Sequence, residues 1–155
     1  MRTEQKIAKI LLKKNKTLAI AESCTGGLLA HCLTNISGSS AFFWLGLIAY
    51  DNQAKVKLLK ISPVIIKKYG AVSFSVAKLM AQNVRKILNT SFGISITGIA
   101  GPSGGTKTKP VGLVFIAVAS KQKVLTQQFH FKGPRLSVKK QAADKALEML
   151  SLALS

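Results

Sequence analysis

Thr17-Leu18-Ala19-Ile20-Ala21-Glu22-Ser23-Cys24-Thr25-Gly26-Gly27-Leu28-Leu29 is an apolar run, a turn and the start of a helical pattern. Thr17 to Ile20 is short and β-tolerant, and Leu28, Leu29, Cys32, Leu33 and Ile36 recur at the spacing of one helix face. A strand that passes its chain to a helix in this way belongs to an α/β domain. Chemistry can collect at the junction. Gly26 and Gly27 let the backbone turn sharply and approach a ligand, and the next helix would aim its unpaired N–H groups at the same place, where negative charge is favoured. Ser and Thr before a helix are also ordinary N-caps, so the stretch has a purely structural reading as well.

Outward from this unit the pattern continues. Glu4 to Leu12, with Ile7, Ile10 and Leu11 in register, predicts an amphipathic helix before the strand. The helix from about Gly26 to Ile36 stops at Ser37-Gly38-Ser39-Ser40. Phe42 to Tyr50 is uniformly apolar and is placed inside a sheet. Asp51 or Asn52 caps the next helix, with Val56, Leu58 and Leu59 on its buried side. Lys55 falls in its first turn, where the macrodipole disfavours a cation by several tenths of a kcal/mol, roughly. That lysine is either a surface residue or an amine whose pKa falls far enough to act as a base.

Ser62-Pro63 starts a short helix that Gly70 ends, and Ser73 caps a longer one from about Phe74 to Leu88 with Val76, Leu79, Met80, Val84 and Ile87 buried. Phe92 to Thr97 reads as a third inner strand. It runs into Gly98-Ile99-Ala100-Gly101-Pro102-Ser103-Gly104-Gly105-Thr106, whose repeated backbone N–H groups can form an anion nest. The loop matches neither the Walker A pattern nor the dinucleotide fingerprint. Val111 to Ala119 is a fourth strand, Val124 to Phe131 a fifth nearer an edge, and Leu136 to Leu154 a closing helix. The expected fold is α/β, a three-layer α/β/α sandwich with a mixed sheet of about five strands.

A chain of 155 residues, 48% of them hydrophobic, suits one domain over 1–155. Its longest apolar runs are far short of the roughly 20 residues that span a bilayer, and Lys6, Lys9, Lys13, Lys14 and Lys16 break up the N-terminus, so a cytoplasmic protein with no membrane partner is expected. Cys24 and Cys32, with His31 and His130, form neither a disulfide framework nor a metal-ligand spacing. Neither metal nor cofactor is expected. Cys32 reads as packing, and Cys24 as a second candidate nucleophile beside Ser23. The formal charge of +18 favours anionic partners, yet the cations are scattered over the chain, as a solvated surface is, and no specific nucleic acid is expected.

Ala21 to Gly27, Ala49-Tyr50-Asp51-Asn52-Gln53-Ala54-Lys55, Tyr69-Gly70-Ala71-Val72-Ser73, Thr97 to Pro102 with Gly104-Gly105-Thr106, and Lys109-Pro110-Val111-Gly112 together resemble the CinA C-terminal domain family over nearly the whole chain. Characterised members of that family are nicotinamide-nucleotide amidohydrolases, which convert nicotinamide mononucleotide to nicotinate mononucleotide and ammonia in pyridine-nucleotide salvage. The resemblance implies a metal-free Ser-Lys amidase with Ser23 as nucleophile, Lys55 as base and Tyr50 as a hydroxyl relaying protons. It implies a mononucleotide site lined by Thr25, Gly26, Gly27, Thr97, Gly98, Gly101, Gly104, Gly105, Thr106 and Arg135, and a homo-oligomer, dimer or trimer. Asp51 and Gln53 stand where the family more often has Ser and Glu, Pro134 where it often has Asp, and Lys139 where a second Arg is common. A non-catalytic basic module that binds nucleic acid or a protein, in keeping with the family's link to competence and DNA damage, is the alternative.

Overall fold

A computed structural model describes Met1–Ser155. The order is α1 (Thr3–Lys13), β1 (Leu18–Glu22), α2 (Leu28–Thr34), β2 (Phe43–Ile48), α3 (Asn52–Lys57), α4 (Pro63–Tyr69), α5 (Phe74–Ile87), β3 (Phe92–Gly98), β4 (Leu113–Ala119), β5 (Val124–His130) and α6 (Arg135–Leu154). The five strands form one sheet in the order β2-β1-β3-β4-β5. β2, β1 and β3 run parallel, and β4 and β5 are antiparallel additions, so the sheet is mixed as expected.

Alternation along the inner strands sorts the helices into two layers. Leu18 and Ile20, Ile94 and Ile96, and Val114, Ile116 and Val118 face α1, α2 and α6 in the largest core cluster, each Leu or Ile contributing about 1.5–3 kcal/mol on burial. The opposite face carries mostly small residues, Ala19, Ala21, Ser95, Ala117 and Ala119, with Leu113 and Phe115 at one end of β4, and α5 packs close against it. Gly93 shows how close: a Cβ there would stand 2.2 Å from the carbonyl oxygen of Ala81. Ser95 fixes the contact by donating its hydroxyl to Ala77 O at 2.6 Å.

Three expectations are corrected. β2 is an outer strand rather than an inner one. Both of its faces are apolar, so the sequence hides an alternation that the structure shows, with Phe43, Leu45 and Leu47 half-buried and Trp44 and Ile48 exposed. Leu58 and Ile87 are exposed, because they stand at the carboxyl ends of α3 and α5, where the chain turns away from the sheet. α3 is only six residues long, so Lys55 lies in its last turn and the dipole argument for its amine lapses.

Candidate active site

The parallel strands β2, β1 and β3 all point their carboxyl ends to one side, and that is where an open α/β sheet leaves a crevice. Ser23 follows β1 directly. Its N–H continues the ladder by donating to Ile96 O at 2.9 Å, which holds the residue rigidly at the strand's end with 8% of its surface exposed. Tyr50 follows β2, and Thr97 and Gly98 end β3. A cleft of about 250 Å³ opens among them, walled also by Lys55, by the loop from Ile99 to Gly104 and by Arg135 at the start of α6.

Asp51 caps α3 by accepting from Gln53 N–H at 2.8 Å, and the short helix it starts carries Lys55 inward in its last turn. Lys55 is 1% exposed. Its Nζ lies 3.1 Å from Ser23 Oγ, 2.7 Å from Ala49 O and 3.3 Å from Tyr50 O. No carboxylate contacts it. Burial pushes its pKa below the ordinary lysine value, partly opposed by the negative charge of Asp51 and by Cys24. A neutral amine has two N–H groups and one lone pair; with the two carbonyls taking the N–H groups, the lone pair is left for the Ser23 hydroxyl. Chemically, such an arrangement can serve as a nucleophile and its base.

Cys24 is the weaker candidate. Burial raises its thiol to about 11, so it stays protonated at neutral pH.

Arg135 ties three segments together. Its Nη1 donates to Gly101 O at 2.6 Å and its Nη2 to the Tyr50 hydroxyl at 2.9 Å. Tyr50 thus meets Arg135 with its hydroxyl and Lys55 only with its backbone carbonyl. Gly101 has φ +82° and a Cβ there would stand 2.4 Å from Val111 Cγ1, so the loop can turn over the cleft only with glycine at this position. The amides of Ala100, Gly101, Ser103 and Gly104, all at the cleft wall, donate to no oxygen of the protein. Thr97 acts in support, its hydroxyl donating to Ala71 O at 3.0 Å.

Ser23, Tyr50, Lys55, Thr97, Gly98, Gly101, Gly104 and Arg135 therefore come together. Thr25, Gly26, Gly27, Gly105 and Thr106 do not reach the wall of the cleft. Thr25 is fully buried, and Thr106 closes its own turn with Lys109. Asn52, read from the sequence only as an alternative helix cap, and Val72 also line the cleft, as does Ser103 within the glycine loop.

The largest omission is Glu22. Its carboxylate, 1% exposed, accepts from Leu29 N–H at 2.9 Å and Ala30 N–H at 3.0 Å, and Leu28 N–H donates to Thr25 O. The start of α2 is filled by the chain itself and offers nothing to a ligand. An acid ending an otherwise apolar strand was the available signal, in a chain with only five Asp and Glu.

Fold and site define a three-layer α/β domain carrying a buried lysine against a serine at the carboxyl ends of its parallel strands. The chain belongs to the CinA family, whose C-terminal domain matches residues 1–154. It is 47% identical over 148 residues to a CinA-like protein of Syntrophus aciditrophicus, an alignment covering 95% of this chain and 35% of that protein. The chain spans about a third of the length of the curated relatives it matches. Among solved structures, the competence or damage-inducible protein of Enterobacter asburiae superposes with a TM-score of 0.95 at 31% identity, covering 99% of this chain and 96% of that one. The competence/damage inducible protein of Agrobacterium tumefaciens gives 0.91 at 35% identity, with 99% and 96% covered.

Proposed function

We propose that this chain is a nicotinamide-nucleotide amidohydrolase that hydrolyses the carboxamide of nicotinamide mononucleotide to nicotinate mononucleotide and ammonia. One observation carries the reading: a lysine 1% exposed, held by two carbonyls, with its remaining valence 3.1 Å from a serine hydroxyl at the floor of the cleft. Ser23 Oγ attacks the carboxamide carbon while Lys55 Nζ takes its proton. The same ammonium then protonates the departing nitrogen, ammonia leaves, and a nicotinoyl ester remains on Ser23. Water, deprotonated by Lys55, cleaves the ester, and the proton returns to Ser23.

The unused amides of the Gly101 loop supply donors for oxygen charge, and Arg135 has three of its five N–H groups left for a phosphate. Tyr50 assists through a hydroxyl that accepts from Arg135 and donates to nothing in the protein. Purified protein should release ammonia from nicotinamide mononucleotide, and Ser23→Ala should remove nearly all of it while keeping the fold. Lys55→Arg keeps a cation but cannot accept a proton, so it should be as inactive as Lys55→Met. Turnover by a folded Ser23→Ala or Lys55→Arg variant at the wild-type level would refute the mechanism.

A further inference from the structure

The loop between β3 and β4 is closed at its neck, where Ile99 N–H donates to Leu113 O at 2.9 Å and Gly112 N–H to Ile99 O at 2.7 Å. Beyond the neck little holds it. Pro102 to Thr108 are exposed, and Gly101, Gly104 and Gly105 give the backbone a freedom that is costly to remove. The tip makes one turn of its own, with Thr106 N–H donating to Lys109 O at 2.7 Å and Lys109 N–H to Thr106 Oγ1 at 3.0 Å. Two side-chain bonds then tie the loop to the rest of the molecule, Arg135 Nη1 to Gly101 O and Lys109 Nζ to Tyr69 O. Tyr69 is the last residue of α4, and its carbonyl receives no backbone N–H, so the ammonium meets an unpaired acceptor at the negative end of a helix. Gly70 makes room for it: its φ is +81°, and a Cβ there would stand 2.6 Å from Lys109 Nζ. Lys109 is accordingly half-buried, unlike the exposed residues before it. The segment it reaches is itself part of the cleft, since Ala71 and Val72 line the same space as Gly101, Ser103 and Gly104.

We propose that Lys109 is a positioning residue for the cleft: by fastening the tip of the glycine loop to the carboxyl end of α4, it holds the free amides of Ala100, Gly101, Ser103 and Gly104 in fixed places. Donors stabilise developing charge best when they are already aimed as it appears, and a loop with a loose tip would have to be ordered in every turnover. Thr97 makes a second tie nearer the floor, through its hydroxyl on Ala71 O. Lys109 acts through the loop and not on the substrate. Its effect on turnover rests on the amidase reading of the site, whereas the fastening does not.

Lys109→Met should keep the fold and its melting temperature, and should lower kcat for nicotinamide mononucleotide by about tenfold to a hundredfold while KM rises less. Lys109→Arg, which can still donate to Tyr69 O, should recover most of that loss. Gly70→Ala, which puts a methyl group where the amine sits, should reproduce it. Trypsin cleavage after Lys107, mapped by mass spectrometry, reads the loop without any activity, the bond after Lys109 being protected by Pro110. It should be at least about tenfold faster in Lys109→Met and Gly70→Ala than in wild type or Lys109→Arg. Unchanged cleavage in both of the first two variants would overturn the fastening. Faster cleavage with kcat at the wild-type level, or a loss that Lys109→Arg does not recover, would overturn the positioning role. A wild type that releases no ammonia would remove the amidase reading, and the cleavage rates would still decide whether Lys109 holds the loop.

Discussion

Glu22→Gln tests what holds the turn after Ser23 in place. The carboxylate accepts from two backbone N–H groups at 2.9 and 3.0 Å in a fully enclosed position. A carboxamide of the same shape can accept one of them, as a neutral bond, and presents its NH2 to the other. Charge-assisted bonds contribute about 1.5–3 kcal/mol each and neutral ones about 0.5–1.5, so one bond lost and one weakened should cost about 2–4 kcal/mol. For a chain of this size 1 kcal/mol shifts Tm by about 2–4 °C, which places the variant roughly 5–15 °C below wild type. Urea unfolding should show the loss in the midpoint with little change in slope. Because Ser23 to Gly27 links Glu22 to the residues it binds, kcat for nicotinamide mononucleotide should fall more than KM rises. A Glu22→Gln protein as stable as wild type, or more so, would refute the account. It would show that desolvating the buried carboxylate costs as much as its two bonds return.

The acid limb of the kcat/KM profile should report Lys55, with activity lost as pH falls and the amine becomes charged; Asp51→Asn, which keeps an N-cap but removes the charge that opposes the lowered pKa, should move that limb to lower pH. Since the folded-state pKa of Lys55 lies below the usual 10.5, the unfolded chain binds more protons between the two values, and stability should rise with pH across that window in wild type but not through this group in Lys55→Met. Arg135→Lys should cost the mononucleotide at least about tenfold more in kcat/KM than the riboside if its guanidinium holds the phosphate with a bidentate fork, the loss shared by both substrates reporting the bonds to Gly101 and Tyr50; equal losses on both substrates would leave the phosphate role without support. Cys24 should react slowly with iodoacetamide at neutral pH and Cys24→Ala should retain turnover, its thiol being raised to about 11. Binding to DNA or RNA should be weak, without preference for sequence, and lost near physiological salt.

Periodicity was enough for the element order, since helices with a buried stripe and strands bounded by Gly and Pro leave one arrangement of layers. It failed at β2, where apolar residues on both faces look alike whether the strand is covered twice or once. It failed again at the turn after Ser23. The residue types there invite an anion, but a carboxylate one position before the serine fills the helix start, and only coordinates show which of the two takes the amides. Arg135 illustrates a third limit. Composition and periodicity do not distinguish it among 23 Lys and Arg, only the resemblance singles it out, and its place at the cleft comes from two bonds to residues 34 and 85 positions away.

Of the two influences expected to lower the pKa of Lys55, burial and a helix end, the structure supplies the first. A helix N-terminus would have lowered its pKa by a surface-scale interaction, too small to make a base of an amine whose ordinary pKa is near 10.4. The structure uses burial instead, and the cost of burial explains the rest of the arrangement. An amine with no counter-ion in contact must have its hydrogens accepted by something, and Ala49 O and Tyr50 O do so because the chain leaves β2 in an extended turn just before α3. Two carbonyls take both N–H groups of a neutral amine, and the third N–H of an ammonium finds Ser23 Oγ as its acceptor. The third direction, toward Ser23, is then the one along which the protonation state matters: the neutral amine can accept the hydroxyl proton there, whereas the ammonium can only donate.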